Sequence, residues 1–204
     1  MIGAGGHARV LAEALTAGGK ALAGFVTPSV EPAEGVMKDV RWIGSDDDLL
    51  ALGPQGVMLV NGIGSTGRPA GRRTAFEKFK AAGFVFASVL HPSAVVASDA
   101  ETGEGVQIMA GVVLQPGVRI GRNAIVNTGV IVDHDGNIGD HAHLAPGVCL
   151  AGSVTIGEGA HIGAGANVIQ NIRVGGGAIV GAGAVVVSNI EAGMTVVGVP
   201  ARVK

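Results

Sequence analysis

Two neighbouring residues in the middle of the chain are the first candidates for chemistry. His134 is followed directly by Asp135. An imidazole titrates near neutral pH and can take a proton from an attacking nucleophile. An adjacent carboxylate can orient the ring and stabilise its cation. A second histidine, His143, lies nine residues on, and His161 follows it by eighteen. His134, His141, His143 and His161 together suggest a metal site, but neither a Cys nor a second acid completes a ligand set at that spacing. No metal is expected, and His141 reads as a plain surface residue. Near the start, Gly3-Ala4-Gly5-Gly6-His7-Ala8 fits G-x-G-x-x-A between a strand end and a helix. Such a turn can hold a pyrophosphate on helix N–H groups. A dinucleotide site would also need an acid about 20 residues on. Val26-Thr27-Pro28 stands there instead, so NAD is not expected.

The elements that must position these residues are legible as a repeat. Cut into sixes from Ser93, the chain gives 17 hexads ending at Met194, and the fourth position is Ile, Leu or Val in all but two, Thr102 and Ala192. The fifth position is often glycine, as at Gly121, Gly139, Gly157, Gly163, Gly175 and Gly181. A period of six matches neither 3.6 nor 3.5, so an amphipathic helix is excluded. The pattern predicts a parallel β-helix of triangular coils, with residues 18 apart stacked on one face. Glycine would serve the left-handed turns at its corners. The register is expected to run unbroken to Met194, with His134 at a corner and Gly152 one coil above it.

The first 90 residues differ. Met1-Ile2 reads as the tail of a strand, so the natural start is expected upstream. Helices are expected over 8–17, 46–52 and 71–82, the last with a basic, polar face. Strands are expected over 21–26, 57–60 (buried) and 84–89. Alternating strand and helix predicts a small α/β Rossmann-like unit over 1–90, followed by the β-helix over 91–204.

Composition excludes several classes. Glycine is 36 of 204 residues, aromatics are 3 % and the net charge is −2. Without a basic run or stacking rings, nucleic acid is not an expected partner. The longest apolar stretch, Ala178 to Val187, is half the length of a membrane span, which takes about 20 residues. The one cysteine, Cys149, fits a cytoplasmic location.

These motifs jointly resemble a known family. They are the Gly3–His7 turn, the Asn61–Ser65 loop, His91-Pro92-Ser93-Ala94, Asn127-Thr128, Val132–Asp135, Ile138-Gly139-Asp140, His143–Gly147 and Val197–Ala201. The chain is similar to the sialic-acid O-acetyltransferase-like family of left-handed β-helix (hexapeptide-repeat) acyltransferases. Its branch of N-acetyltransferases acts on nucleotide-linked amino sugars. The resemblance implies acetyl-CoA as co-substrate, a homotrimer, and active sites between neighbouring β-helices. It implies His134 as base with Asp135 beside it, and His143 near the thioester. Gly152 would offer its amide to the acetyl carbonyl. The coils containing Ala164 and Gly181 would admit the pantetheine arm. Asn127 and Thr128 could touch the sugar, or form a structural ladder. The resemblance puts the nucleotide diphosphate at Gly5, Gly6 and His7 and at the loop residues Asn61, Gly62, Gly64 and Ser65. An O-acetyltransferase acting on a sugar hydroxyl is the alternative enzyme. A catalytically silent sugar-nucleotide-binding module is the alternative of another class.

Overall fold

The computed structural model describes residues 1–29, 35–65 and 70–204. The N-terminal part is a parallel sheet of five very short segments. Their order across the sheet is Trp42–Gly44, Phe25–Val26, Ile2, Met58–Leu59 with Asn61, and Val85–Phe86. Helix α1 (Gly6–Ala17) covers one side, packing Leu11 and Leu15 with Met1, Phe25 and Val60. Helices α2 (Asp46–Leu52) and α3 (Ala70–Ala81) cover the other, packing Leu49, Phe76 and Phe79 with Ile2, Val26, Leu59 and Phe86. Adjacent strand residues point to opposite sides, so Met1 and Ile2, or Phe25 and Val26, serve different helices. A reciprocal cap starts α2: the Ser45 backbone N–H donates to Asp48 at 2.7 Å, and the Asp48 N–H donates back to the Ser45 hydroxyl.

Several elements differ from the sequence expectation. The strand expected over 21–26 shrinks to Phe25–Val26, and that over 84–89 divides into Val85–Phe86 and Val89–Leu90. Met58, expected inside, is 65 % exposed, because α1 covers only part of its side of the sheet. The face of α3 expected to be basic and polar loses Arg72 to the interior, where it is 1 % exposed.

The rest of the chain is a triangular prism of two-residue strands. Strands stack in parallel with an 18-residue register, as in Arg119 between Glu101 and Asn137. The second residue of each strand points inward, giving a continuous core from Ile108 to Val180. Each such side chain stabilises the prism by roughly 1.5–3 kcal/mol. The first residue points outward and gives each face its character. One face is polar: Glu101, Arg119, Asn137, Thr155 and Arg173. A second, carrying Gln107, Ile125 and His143, is buried under the N-terminal sheet unit. The third is open and mostly apolar, with Val95 63 % and Ile131 42 % exposed.

The prism starts earlier and ends differently than the hexads suggest. Val89–Leu90 already pairs with Gln107–Ile108, so the first coil begins before Ser93. At the other end, Val174 pairs with Ile190 and Ile179 with Thr195, 16 positions apart instead of 18. One corner is two residues shorter, and buried Ile190 replaces Ala192 as the inward residue. The corner glycines also divide by role. The left-handed backbone falls on the first residue of each hexad from Gly105 to Gly183, including Asn123, Asp135, His141, Ser153 and Asn171. The fifth-position glycines answer a different constraint, close approach: a Cβ on Gly139 would sit 2.6 Å from the Glu158 nitrogen of the next coil.

Candidate active site

His134 and Asp135 occupy the edge between the open and polar faces. Asp135 adopts φ 59°, a conformation that Asp tolerates better than most residues. That turn brings its carboxylate back to the ring: His134 Nδ1 donates to Asp135 Oδ2 at 2.9 Å. The His134 backbone N–H donates to Asp133 Oδ1 at 2.7 Å, which fixes the corner. Both side chains of the dyad are mostly exposed. The Asp135 carboxylate raises the His134 pKa above the ordinary histidine value. With Nδ1–H spent on Asp135, the neutral ring presents the Nε2 lone pair. Nε2 lies over Gly152, where a Cβ would stand 2.5 Å away, so no side chain fits there. Gly117, one coil before Asp135, leaves similar room for the carboxylate.

His143 lies elsewhere, on the covered face. It is 8 % exposed and sits beneath the Asn61–Ser65 loop. Its Nδ1 is 2.9 Å from the Ser65 carbonyl and 2.9 Å from the Ser65 hydroxyl. The Asn127 amide approaches Nε2 at 3.4 Å. The consistent tautomer has Nδ1–H donating to the carbonyl and Nε2 accepting from Asn127. His161 stacks edge-on at 4.9 Å between ring centroids. Burial, reinforced by neighbouring His161, pushes the His143 pKa down to about 3.

Asn127, Thr128, Ala164 and Gly181 share the edge between the covered and open faces, since 127, 163 and 181, like 128 and 164, stack at multiples of one coil. The outward residues on this edge are Thr128, Pro146, Ala164 and Ala182, none with a long side chain. A Cβ on Gly181 would meet Val197 Cγ1 at 2.7 Å, so the ridge stays smooth. Within one chain, therefore, the dyad and this ridge lie on opposite rims of the open face.

The acceptor candidates meet between the N-terminal unit and the covered face. Helix α1 begins at N-cap Gly5 with no capping side chain and no acid in its first turn. Its first N–H groups and its dipole favour an anion. His7 Nε2 donates to Gln107 Oε1 at 2.7 Å, and burial pushes its pKa down to about 4, so it stays neutral. Gly62 lies against Ile2, and a Cβ on Gly64 would stand 3.2 Å from the His7 Cβ. Asn61 is placed differently from expectation. It is 1 % exposed, and its Nδ2 donates to the Arg72 carbonyl at 3.0 Å and to Asn123 Oδ1 at 3.1 Å. Its side chain fastens the loop and is not free to face a ligand.

His141 overturns the expectation of a surface residue. It is 2 % exposed, accepts at Nδ1 from Asn123, and reaches Glu77 of α3 through Nε2 at 3.2 Å. Arg72, Asn123 and Gln107 were not singled out by the motifs. For Arg72 a signal existed: with Ala75, Phe76 and Phe79 it forms the i, i+3, i+4, i+7 stripe that α3 buries. Among the described residues, no three His, Cys, Asp or Glu side chains group as a metal site.

The family described as bacterial transferase hexapeptide (six repeats) matches residues 99–134 and 135–170. A histidine-to-alanine mutant of GDP-perosamine N-acetyltransferase from Caulobacter crescentus, in complex with CoA and GDP-perosamine, is 41 % identical. It matches 100 % of this chain and 94 % of its own, with a TM-score of 0.91. The chain belongs to the hexapeptide-repeat acyltransferase family. Its fold is the left-handed parallel β-helix of that family. The acetyltransferase domain of PglB from Neisseria gonorrhoeae, in complex with acetyl coenzyme A, is 36 % identical. It has a TM-score of 0.91 over 100 % of this chain and 97 % of that one. WeeI from Acinetobacter baumannii, 24 % identical with a TM-score of 0.78 over 100 % and 97 % of the two chains, shares the fold. No curated protein matches the chain.

Proposed function

We propose that this protein is an acetyl-CoA-dependent N-acetyltransferase acting on the amino group of a nucleotide-linked sugar. The observation that carries this reading is the His134–Asp135 dyad, set over a glycine in a chain that resembles GDP-perosamine N-acetyltransferase along its whole length. The amine attacks the thioester carbonyl, forming the C–N bond as the C–S bond breaks. His134 Nε2 takes the amine proton and passes it to the leaving thiolate, while Asp135 holds the imidazolium. The glycine that Nε2 overlies, Gly152, supplies its N–H as the donor for the acetyl oxygen in this reading. Acetyl-CoA fits the ridge of Thr128, Pro146, Ala164 and Ala182, which leaves a narrow track beside Gly181. His143 positions the acceptor loop through Ser65 and reaches the acetyl end through Asn127.

Residues 1–90 are assigned to a Rossmann-like nucleotide-sugar-binding unit and 91–204 to the acetyltransferase prism, with Val89–Leu90 at the boundary already paired into the first coil. Parallel strands with Ile2 at the centre, and the uncapped start of α1 beside it, support that division. The chain works as a homotrimer. The open face exposes Val95 and Ile131, an apolar surface that a second chain would cover. Covering it brings one chain's His134 rim to the next chain's Asn127 rim, joining what a single chain separates. The reaction belongs in the cytoplasm, a reducing compartment compatible with the one free thiol, Cys149. Among the described residues no helix is long and apolar enough to cross a membrane.

Thiol release from acetyl-CoA, screened against GDP-, UDP- and TDP-linked 4-amino sugars, tests this reading. Release with one of them, lost when the free amino sugar replaces it, is expected. Release with none of them, or with sialic acid alone, overturns it.

A further inference from the structure

Arg72 is the largest fully buried side chain among the described residues, and it is a cation. It sits where α3, the Asn61–Ser65 loop and the prism meet. Nη1 donates to the carbonyls of Asn61 at 2.8 Å and Ile63 at 2.9 Å. Nε donates to the Asn123 carbonyl at 3.2 Å. Nη2 is buried without a partner among the described residues, and none of their carboxylates pairs with the guanidinium. A buried charge lacking a counter-ion costs several kcal/mol, and folds rarely keep one without use. Carbonyl dipoles alone soften that cost, and burial pulls the Arg72 pKa down to about 9, so the group stays charged at neutral pH.

Two further facts say where this charge acts. Burial is the main reason His7 and His143 stay neutral, and the nearby Arg72 charge acts in the same direction on both, one in the first turn of α1 and the other on the covered face. Its two donors to the loop also set the direction of the backbone. In a trans peptide the following N–H points opposite to the carbonyl. With the Ile63 carbonyl turned to Arg72, the Gly64 N–H points away from it, on a loop that lies against His7. The start of α1, which carries no acid, faces the same region.

We propose that Arg72 is a positioning residue for the acceptor's diphosphate: it shapes the Asn61–Ser65 loop from behind, and its unneutralised charge makes the α1–loop junction an anion site. The ligand class is a nucleoside diphosphate, and the proposal rests on the nucleotide-linked acceptor assigned above. The two phosphates supply the counter-charge that the fold withholds, held by backbone N–H groups while the guanidinium stays behind the loop. His7, kept neutral by Gln107, orients the ligand without serving as its cation.

The test compares the affinity for GDP with that for guanosine by titration calorimetry, with UDP and uridine, and TDP and thymidine, in parallel. Arg72→Gln is expected to lower the diphosphate-to-nucleoside affinity ratio at least about tenfold while CoA affinity stays within about twofold. Asn123→Asp is the second variant, because Arg72→Gln removes loop contacts and can fail to fold. It is isosteric and sets a carboxylate beside the guanidinium, and the ratio is expected to fall at least about threefold. In Asn123→Asp, which keeps the shape of the side chain, the His7 imidazole should titrate at higher pH as the added carboxylate offsets the guanidinium, a change that loss of shape does not explain. An unchanged ratio in either folded variant overturns the proposal, as does an equal loss of nucleoside and diphosphate. If the parent protein binds no nucleoside diphosphate at all, the acceptor reading falls as well, so the two failures are distinguishable.

Discussion

His134 and His143 are nine residues apart on the same prism, yet their surroundings are opposite. His134 stands on a rim in solvent, and a carboxylate raises its pKa. His143 lies under the N-terminal loop, held by Ser65 and Asn127, with its pKa pushed down to about 3. One is equipped to gain and lose a proton near neutral pH, while the other is held neutral and packed. The repeat explains the difference: half a coil carries the chain from an edge to the middle of a covered face.

The contrast can be broken by mutation, beginning with the largest effect. His134→Ala should lower kcat in the thiol-release assay at least about a hundredfold, with the melting temperature unchanged, because the side chain is exposed. Asp135→Asn should lower kcat about tenfold and change the pH profile. The base works above its pKa, and losing the carboxylate lowers that pKa, so the acid limb of the rate profile must move to lower pH. An acid limb that stays in place would separate Asp135 from the base. His143→Ala strands the Ser65 carbonyl and should cost about 1–3 kcal/mol in denaturant unfolding.

The smallest expected effect concerns pH and stability. The folded-state pKa of His143 lies below the unfolded value, so the unfolded chain binds a proton first as pH falls below about 6.5. Stability should therefore decline on acidification toward pH 4. His143 accounts for up to about 1.4 kcal/mol per pH unit in that window. In His143→Gln the decline, followed by urea unfolding at several pH values, should be shallower.

How far these features were legible depends on the range of the interactions that make them. The prism rests on contacts repeated every 18 residues, so hexads alone gave its faces, its edges and the corner position of His134. The register slip near Ile190 was hidden because Ala192 still resembles a weak hexad, while only pairing reveals the shortened corner. The division of glycine roles was also concealed, since a left-handed turn and a close coil-to-coil approach both favour the same residue. What the sequence did not disclose belongs to the junction of the two regions. His141 reads as a surface corner until α3 covers it. Asn61 reads as a ligand contact until Arg72 and Asn123 take its hydrogen bonds. Such roles follow from packing between residues 11 to 64 apart, which no local pattern records.

In the proposed trimer the base on one rim serves an acceptor held on another chain. Subunit mixing tests it directly. His134→Ala lacks the base, and Gly64→Val closes the acceptor loop against His7. Each variant alone should be nearly inactive. Unfolded and refolded together in equal amounts, they form mixed assemblies in which a site is whole when its base and its acceptor come from the right neighbours. Random mixing makes that about a quarter of all sites. Thiol release should recover to about a quarter of the parent rate. Mixed assemblies that remain as inactive as either variant alone would contradict the claim.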